Sequence, residues 1–480
     1  MKPLKPILIL LLLICINQQS SAQKYKPIIE PAKLVKADPR LIIQSGYLIV
    51  PENRRMNNGR KVKIPFIFVR RPDQDARKNI SLYTTGGPGY STTANIDSIS
   101  YNSGFLKHGG FIAFDQRGTK RAQPCLDCAG VDTAIKRSYK HGLNKDSLVL
   151  LAVAQCRKKF AGEGIDLSAY NTTESAEDIN DLRLALQIDS LNLVGISYSG
   201  GLMLTMAINH PEGVRTLILN SPLPTFVNYE EHALFNINEA LEQVFKNCEA
   251  DSADKVYVNL RERFHGYFTS LGKQTFKLRY LEKGTHDSLA INYTKNELLD
   301  AIVSRLNTSQ VKSVPSVVND MINGRHANYV REVLDGYFAG DSQLSLGMRY
   351  SVYCAGQIAY ADERKIKQQN EVLPWLGGYA FNNVDHAICS CWNVNADSVA
   401  IKTPHYSKVP ALIVSGDIDP WCSTFYNRYV KRTMPNTQLM IRHNKGHAPG
   451  YTVDGIDYVE LFLANPFKML VSKSKDLVIE

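Results

Sequence analysis

Leu193-Val194-Gly195-Ile196-Ser197-Tyr198-Ser199-Gly200-Gly201 decides the reading of this chain. A short apolar run ends in small residues around a serine, and an apolar segment of helical character, Leu202–Ile208, follows at once. Such a run suits a strand buried on both faces of a parallel sheet. A tight turn at its end lifts Ser197 Oγ clear of the sheet, and small neighbours let the backbone pass without a clash. Ser199 occupies a position where glycine is the usual choice; serine is the next smallest polar residue, and Gly200-Gly201 follow directly.

Working outward, Ile80–Tyr83, Phe111–Phe114 and Thr216–Leu219 have the same short, apolar character. Glu174–Leu186 lies between two of them, with Ala176, Ile179, Leu182, Ala185 and Leu186 at helical spacing. Residues 41–50 and 61–69 read as paired strands across the turn-rich Pro51–Gly59. Strand and helix alternate, as in a mostly parallel doubly wound α/β sheet. From about 225 to 403 the pattern becomes amphipathic helix, including Ala233–Val244, Val256–Phe268, Lys295–Leu306 and Tyr329–Tyr337, with strand-like alternation nearly absent. Ala411–Val414 and Gln438–Ile441 then return to strand. The economical division is an α/β core over 23–224 and 404–480, interrupted by a helical cap over 225–403.

The chain has 480 residues, 44% hydrophobic and 21% charged, which excludes a disordered tail, a collagen and a polytopic membrane protein. Its one long apolar run is at the start. Lys2 and Lys5 precede Ile7–Ile16, and small residues at Ser20 and Ala22 follow, predicting a secretory signal over 1–22 cleaved after Ala22. The run is too short for a stable membrane span, and Ile14 is too bulky to precede a lipidated Cys15. Export to the periplasm or the extracellular space is therefore expected. The net charge of +10 is dispersed along the chain, without a basic stripe, so nucleic acid is not an expected partner.

Eight cysteines follow the signal: Cys125, Cys128, Cys156, Cys248, Cys354, Cys389, Cys391 and Cys422. An even count in an exported chain favours disulfides. His386-Ala-Ile-Cys389-Ser-Cys391 and Cys125-Leu-Asp-Cys128 lack a second pair at zinc-finger spacing, so no structural metal is expected, and nothing calls for an organic cofactor.

The turn at Ser197 is the nucleophile elbow of an α/β-hydrolase, G-x-S-x-G in its usual form. In that fold the triad runs nucleophile, acid, histidine along the chain. Val414-Ser415-Gly416-Asp417-Ile418-Asp419-Pro420 supplies the acid and Asn444-Lys445-Gly446-His447 the base, each beyond a strand. A G-x-x-D spacing from Gly416 favours Asp419, with Asp417 the competitor. Thr84-Thr85-Gly86-Gly87-Pro88-Gly89-Tyr90 follows another strand, where the fold places an oxyanion-binding loop. The backbone N–H groups of Tyr198 and Gly87 are the candidate donors, since Pro88 has none.

Gly86-Gly87-Pro88-Gly89, Phe114-Asp115-Gln116-Arg117-Gly118-Thr119, Gly195-Ile196-Ser197-Tyr198, Tyr170-Asn171-Thr172-Thr173 with Asp178 and Leu182-Arg183, Gly416–Pro420 and Gly446-His447 together resemble the prolyl aminopeptidase and tripeptidyl aminopeptidase family of α/β-hydrolase serine peptidases. The resemblance implies Ser197 as nucleophile, Asp419 as acid, His447 as base, and Asp115–Gly118 as a structural loop beside the site. It also implies a bridge from Cys156 to Cys128 or Cys125, and one in the cap from Cys354 to Cys389 or Cys391. The chain departs from the family at Thr85, where many members have His, at Trp421-Cys422, which replaces Thr-Pro-like residues after the acid, and in lacking a second cysteine soon after Cys248.

The expected activity is removal of one or a few residues from peptides with a free N-terminus. Glu230, Glu231, Asp362 and Glu363 are the cap carboxylates available to hold the substrate ammonium, although exposed helices carry acids anyway. A carboxylesterase would use the same elbow and triad. A non-catalytic binding protein is a third alternative, opposed by the complete triad. Oligomeric state leaves no mark in the sequence.

Overall fold

The computed structural model describes residues 25–480 apart from 57, 251–254, 286 and 383, so the expected signal segment lies outside the described residues. Ten strands form the main sheet: β1 (Ile28–Pro31), β2 (Ile42–Pro51), β3 (Lys61–Arg70), β4 (Ile80–Thr84), β5 (Phe111–Phe114), β6 (Leu191–Ile196), β7 (Val214–Asn220), β8 (Ala411–Gly416), β9 (Thr437–Arg442) and β10 (Leu477–Ile479). Their spatial order is β1-β2-β3-β5-β4-β6-β7-β8-β9-β10. The block from β5 to β9 is parallel, and antiparallel strands flank it on both sides. The order reverses beside β4 and β6, and an open α/β sheet opens its crevice at the carboxyl ends of the strands at such a switch.

The apolar runs become the centre of the sheet because both faces are covered. Leu82, Leu191, Leu193, Leu217, Leu219, Ile413 and Leu439 are fully buried. The covering helices include α1 (Gly130–His141), α2 (Lys145–Gly162), α3 (Thr172–Ala185) and α4 (Tyr198–Asn209). Asn171 caps α3 by accepting from Glu174 N–H at 2.8 Å, as an N-cap asparagine does.

Between β7 and β8 the chain is mainly helical, with α5 (Ala233–Ala250), α6 (Leu260–Leu271), α7 (Lys295–Val303), α8 (Val314–Ile322), α9 (Ala327–Ala339), α10 (Leu346–Gly356), α11 (Glu363–Val372) and α12 (His386–Trp392). One departure from the sequence reading is a hairpin of Phe276–Leu281 against Ser288–Tyr293. Leu278 and Tyr280 point inward while Lys277 and Arg279 face solvent, a period of two. The inserted segment divides between two cores. Ile237, Phe245, Phe264, Leu298, Val314 and Leu334 make a cluster of their own, whereas Met348, Tyr350, Trp392 and Ile388 join the main core beneath the sheet.

Among the described residues two disulfides form, Cys128–Cys156 and Cys354–Cys389, closing separations of 28 and 35 residues. Both fall on pairings that the resemblance implied; the other candidates, Cys125, Cys248, Cys391 and Cys422, stand outside these two bridges. Their surroundings differ. Cys125 Sγ faces Ser345 Oγ, Cys391 Sγ faces the Leu150 carbonyl, and Cys422 lies beside Ser197. No helix among the described residues is long and apolar enough to cross a membrane.

Candidate active site

Ser197 joins β6 to α4 with φ 56° and ψ −127°, a left-handed conformation that a residue with a Cβ adopts at a cost. The Ser199 departure has a structural explanation. Ser199 Oγ accepts the Ile196 N–H at 2.8 Å and lies 2.8 Å from the Thr84 carbonyl, to which it donates, so this hydroxyl ties the elbow to the end of β4. Tyr198 opens α4, which leaves its N–H without an intrahelical acceptor.

The loop after β4 passes close over the elbow. A Cβ on Gly86 would lie 2.6 Å from the Ile196 carbonyl and 3.0 Å from Ser197 Cβ, so only glycine fits. Asp115 fastens the far end of this loop, its buried carboxylate accepting from Ser91 Oγ, Thr92 N–H, Thr93 N–H and Thr93 Oγ1 at 2.6–3.0 Å. Gln116 donates to the Thr85 carbonyl at 2.7 Å. Arg117 turns the other way and pairs with Asp178. The Asp-Gln-Arg-Gly stretch thus braces the Gly86–Tyr90 loop.

Asp419 and His447 meet at the carboxyl ends of β8 and β9. His447 Nδ1 lies 2.8 and 3.0 Å from the two Asp419 carboxylate oxygens. Asp419 also accepts the Trp421 and Cys422 N–H groups at 3.0 and 2.9 Å, so its orientation is fixed on both sides. Asp417 lies apart from this pair. It faces His443 Nδ1 at 3.1 Å, and burial raises its carboxyl above the ordinary range against the opposing pull of His443.

The inserted segment holds the histidine loop directly. His447 N–H donates to the Leu306 carbonyl at 3.1 Å and Thr308 N–H to the His447 carbonyl at 3.2 Å. Thr308 Oγ1 donates to the Gly446 and His447 carbonyls at 3.0 Å. Gly446 is required by this contact, since a Cβ there would come within 1.9 Å of Leu306 O.

Ser197, His447, Gly86, Gly87, Cys422 and Trp421 line one cavity of about 410 Å³, closed on other sides by Leu223, Tyr229, Arg349, Tyr353 and Asn382. Trp421 stands over His447 with ring centroids 5.4 Å apart. A larger adjoining cleft, about 530 Å³, shares Tyr90, Arg349 and Asn382 with it. Cys422 Sγ is 3.9 Å from Ser197 Oγ, and burial, with Asp419 nearby, holds its thiol well above the usual thiol range.

The four cap carboxylates sort by position. Glu230 accepts from Asn382 Nδ2 at 2.7 Å, beside the wall of the Ser197 cavity, and burial pushes its carboxyl up to about 7 against the opposing influence of Asn382 and Arg349. Glu231 is engaged by Asn228, by the Asp362 N–H and by Lys365. Asp362 caps α11 and pairs with Arg364, and Glu363 pairs with Lys367 in solvent. The structure therefore places Glu230 one hydrogen bond behind Asn382 of the cavity wall and leaves the other three in local helix contacts.

Two cavity residues escaped the sequence reading. Arg349 Nη1 donates to the Gly87 carbonyl at 3.1 Å, and its Nη2 lies 3.4 Å from Asn382 Oδ1. Neither residue belongs to a motif.

A serine on a strained elbow, an imidazole oriented by a carboxylate and a glycine loop in one cavity, with a helix N-terminus directly after the serine, can together carry acyl transfer. The sequence matches the alpha/beta hydrolase fold family over residues 85–452. The chain belongs to the alpha/beta hydrolase family. It is similar to the tripeptidyl aminopeptidase of Streptomyces lividans, 26% identical over 190 residues that cover 37% of this chain and 35% of that protein. It is also similar to serine protease Hip1 of Mycobacterium tuberculosis (strain ATCC 25618 / H37Rv), 21% identical over 399 residues that cover 78% of this chain and 76% of that protein. The match thus spans about a third of the length of the Streptomyces relative. Among solved structures, a 2-hydroxy-6-oxo-6-phenylhexa-2,4-dienoate hydrolase from Rhodococcus sp. strain RHA1 aligns over 89% of this chain and 99% of its own, at 12% identity and a TM-score of 0.36.

Proposed function

We propose that this chain is an exported serine exopeptidase that releases residues or short peptides from the free N-terminus of peptides. Ser197 Oγ attacks the scissile carbonyl while His447 Nε2 takes its proton. Asp419 holds the Nδ1–H tautomer and stabilises the imidazolium. The N–H groups of Gly87 and Tyr198 receive the developing oxyanion. His447 returns the proton to the leaving amine, and water then hydrolyses the acyl-enzyme.

The observation that carries the peptide reading is the position of Glu230. It is a largely buried carboxylate bonded to Asn382, a residue of the Ser197 cavity wall, and a substrate ammonium entering that cavity would favour its ionised form. The similarity to a tripeptidyl aminopeptidase and to a serine protease points the same way. The test compares one peptide with a free and with an acetylated N-terminus. A charge-assisted hydrogen bond contributes about 1.5–3 kcal/mol, so acetylation should lower kcat/KM at least about tenfold. Equal rates would remove the aminopeptidase reading and leave an ester hydrolase or an endopeptidase.

A further inference from the structure

Cys422 takes no part in the acyl-transfer chemistry, yet its thiol lies in the middle of the site. Its Sγ is 3.9 Å from Ser197 Oγ, and its own N–H is tied to Asp419 at 2.9 Å, which fixes the residue one turn after the acid. Asp419, Cys422 and His447 each place a ligand atom within 4.8 Å of the others. These donors are an oxygen, a sulfur and an imidazole nitrogen, the set that suits zinc among common divalent ions. Charge also balances: a thiolate and a carboxylate together neutralise a dication, which a buried site requires.

We propose that Cys422, His447 and Asp419 form a reversible inhibitory site for zinc, reached through the Ser197 cavity. Binding replaces the thiol proton with a sulfur–zinc bond, and that proton leaves to solvent. The Nε2 lone pair of His447 passes to the metal, so Ser197 loses its proton acceptor. Asp419 keeps its hold on Nδ1–H, 2.8 Å away, as outer carboxylates do at histidine–zinc sites. Water or Ser197 Oγ completes the coordination. A hydroxyl or methyl at position 422 would leave the serine–histidine–aspartate geometry standing without the soft donor, so the thiol is what makes the site a metal trap.

Two measurements test this. In the first, chelator-treated enzyme hydrolyses a p-nitrophenyl ester, a substrate that does not depend on the aminopeptidase reading, while zinc is titrated in. Micromolar zinc should inhibit, and chelator should restore the rate. Cys422→Ser and Cys422→Ala, each judged against its own metal-free rate, should need at least tenfold more zinc. Half-inhibition of wild type and both variants at the same zinc concentration would overturn the proposal. The second measurement needs no turnover and therefore separates failure of the metal site from failure of the hydrolase reading. Cadmium added to the Ser197→Ala protein should produce ultraviolet thiolate–cadmium absorption that disappears when Cys422→Ala is added. Persistence of the full absorption in the double variant would assign the metal to another thiol and remove the site.

Discussion

Arg349, on α10 of the inserted segment, donates from Nη1 to the carbonyl oxygen of Gly87 at 3.1 Å, across 262 positions of sequence. Gly87 is thereby anchored at its carbonyl by a cation from the inserted segment, one peptide group after the N–H proposed as an oxyanion donor. The same guanidinium approaches Asn382, which in turn donates to Glu230. The Gly86–Tyr90 loop and Glu230 are the two ends of one chain of contacts.

Removing the anchor should loosen the loop without touching the elbow. Arg349→Met is expected to lower kcat about tenfold, the value of one charged hydrogen bond of about 1.5 kcal/mol, with KM changed less. Arg349→Lys should recover part of the loss, because an ammonium can reach one acceptor but lacks the two-pronged fork. Steady-state kinetics on a small ester and on a peptide check both. An unchanged kcat in Arg349→Met would show that the loop keeps its position unaided.

Asp419→Asn should reduce turnover by several orders of magnitude by mis-setting the His447 tautomer, as comparable triad changes do. Asp417→Asn should cost far less, because Asp417 faces His443 instead. Active-site titration with a fluorophosphonate, expected to label Ser197 and not Ser199, separates lost chemistry from lost folding.

Glu230 supplies a pH signature. Its carboxyl is pushed up to about 7, so it takes a proton as the pH falls from 8 to 6 and, under the proposed function, would lose its attraction for a substrate ammonium. The kcat/KM of wild type on a free-amine peptide should therefore converge on that of Glu230→Gln at pH 6 and exceed it at pH 8. For stability the sign is opposite. The folded state binds this proton more tightly than the unfolded chain does, so it is favoured at low pH. That advantage, about 3 kcal/mol, is lost as pH rises from about 4.5 to about 7. Denaturant melts of wild type and Glu230→Gln across this range should show the difference.

The Cys128–Cys156 bridge closes 28 residues around α1 and most of α2. A loop of that length is worth about 3–4 kcal/mol by chain entropy. Cys128→Ser with Cys156→Ser should lower the Tm accordingly, and reductant should destabilise wild type but have little further effect through this bridge in the variant.

How much of this was legible follows from how local each feature is. The elbow, the Asp-Gln-Arg-Gly brace and the order of Ser197, Asp419 and His447 are written in short stretches where strand, turn and helix signals agree, and both the α/β-hydrolase fold and the likeness to tripeptidyl aminopeptidases were readable from them. The hairpin at Phe276–Leu281 was also open to reading, since Lys277, Leu278, Arg279 and Tyr280 alternate, but the helical surroundings obscured so short a run. Glu230 could not be separated from its neighbour Glu231 by sequence, because one turn of 3-10 helix sends one side chain to Asn382 and the other to Lys365. Arg349 and Asn382 carry no local signal; their positions emerge only when α10 packs into the main core. The even cysteine count favoured disulfides, but parity says nothing about which thiols meet, so the pairs beyond the two implied by the resemblance stayed open.

The bonds from Leu306 and Thr308 to the Gly446–His447 loop bear on how substrates gain entry. A flap that swings open on a hinge would have to drag the histidine with it and dismantle the machinery at each opening. The inserted segment is better regarded as a fixed grille; under the proposed function its aperture would select by girth, admitting an extended chain end and refusing a folded surface. Heat that shakes the grille loose reaches the proton acceptor directly, so activity should fade at temperatures where the sheet beneath is still intact.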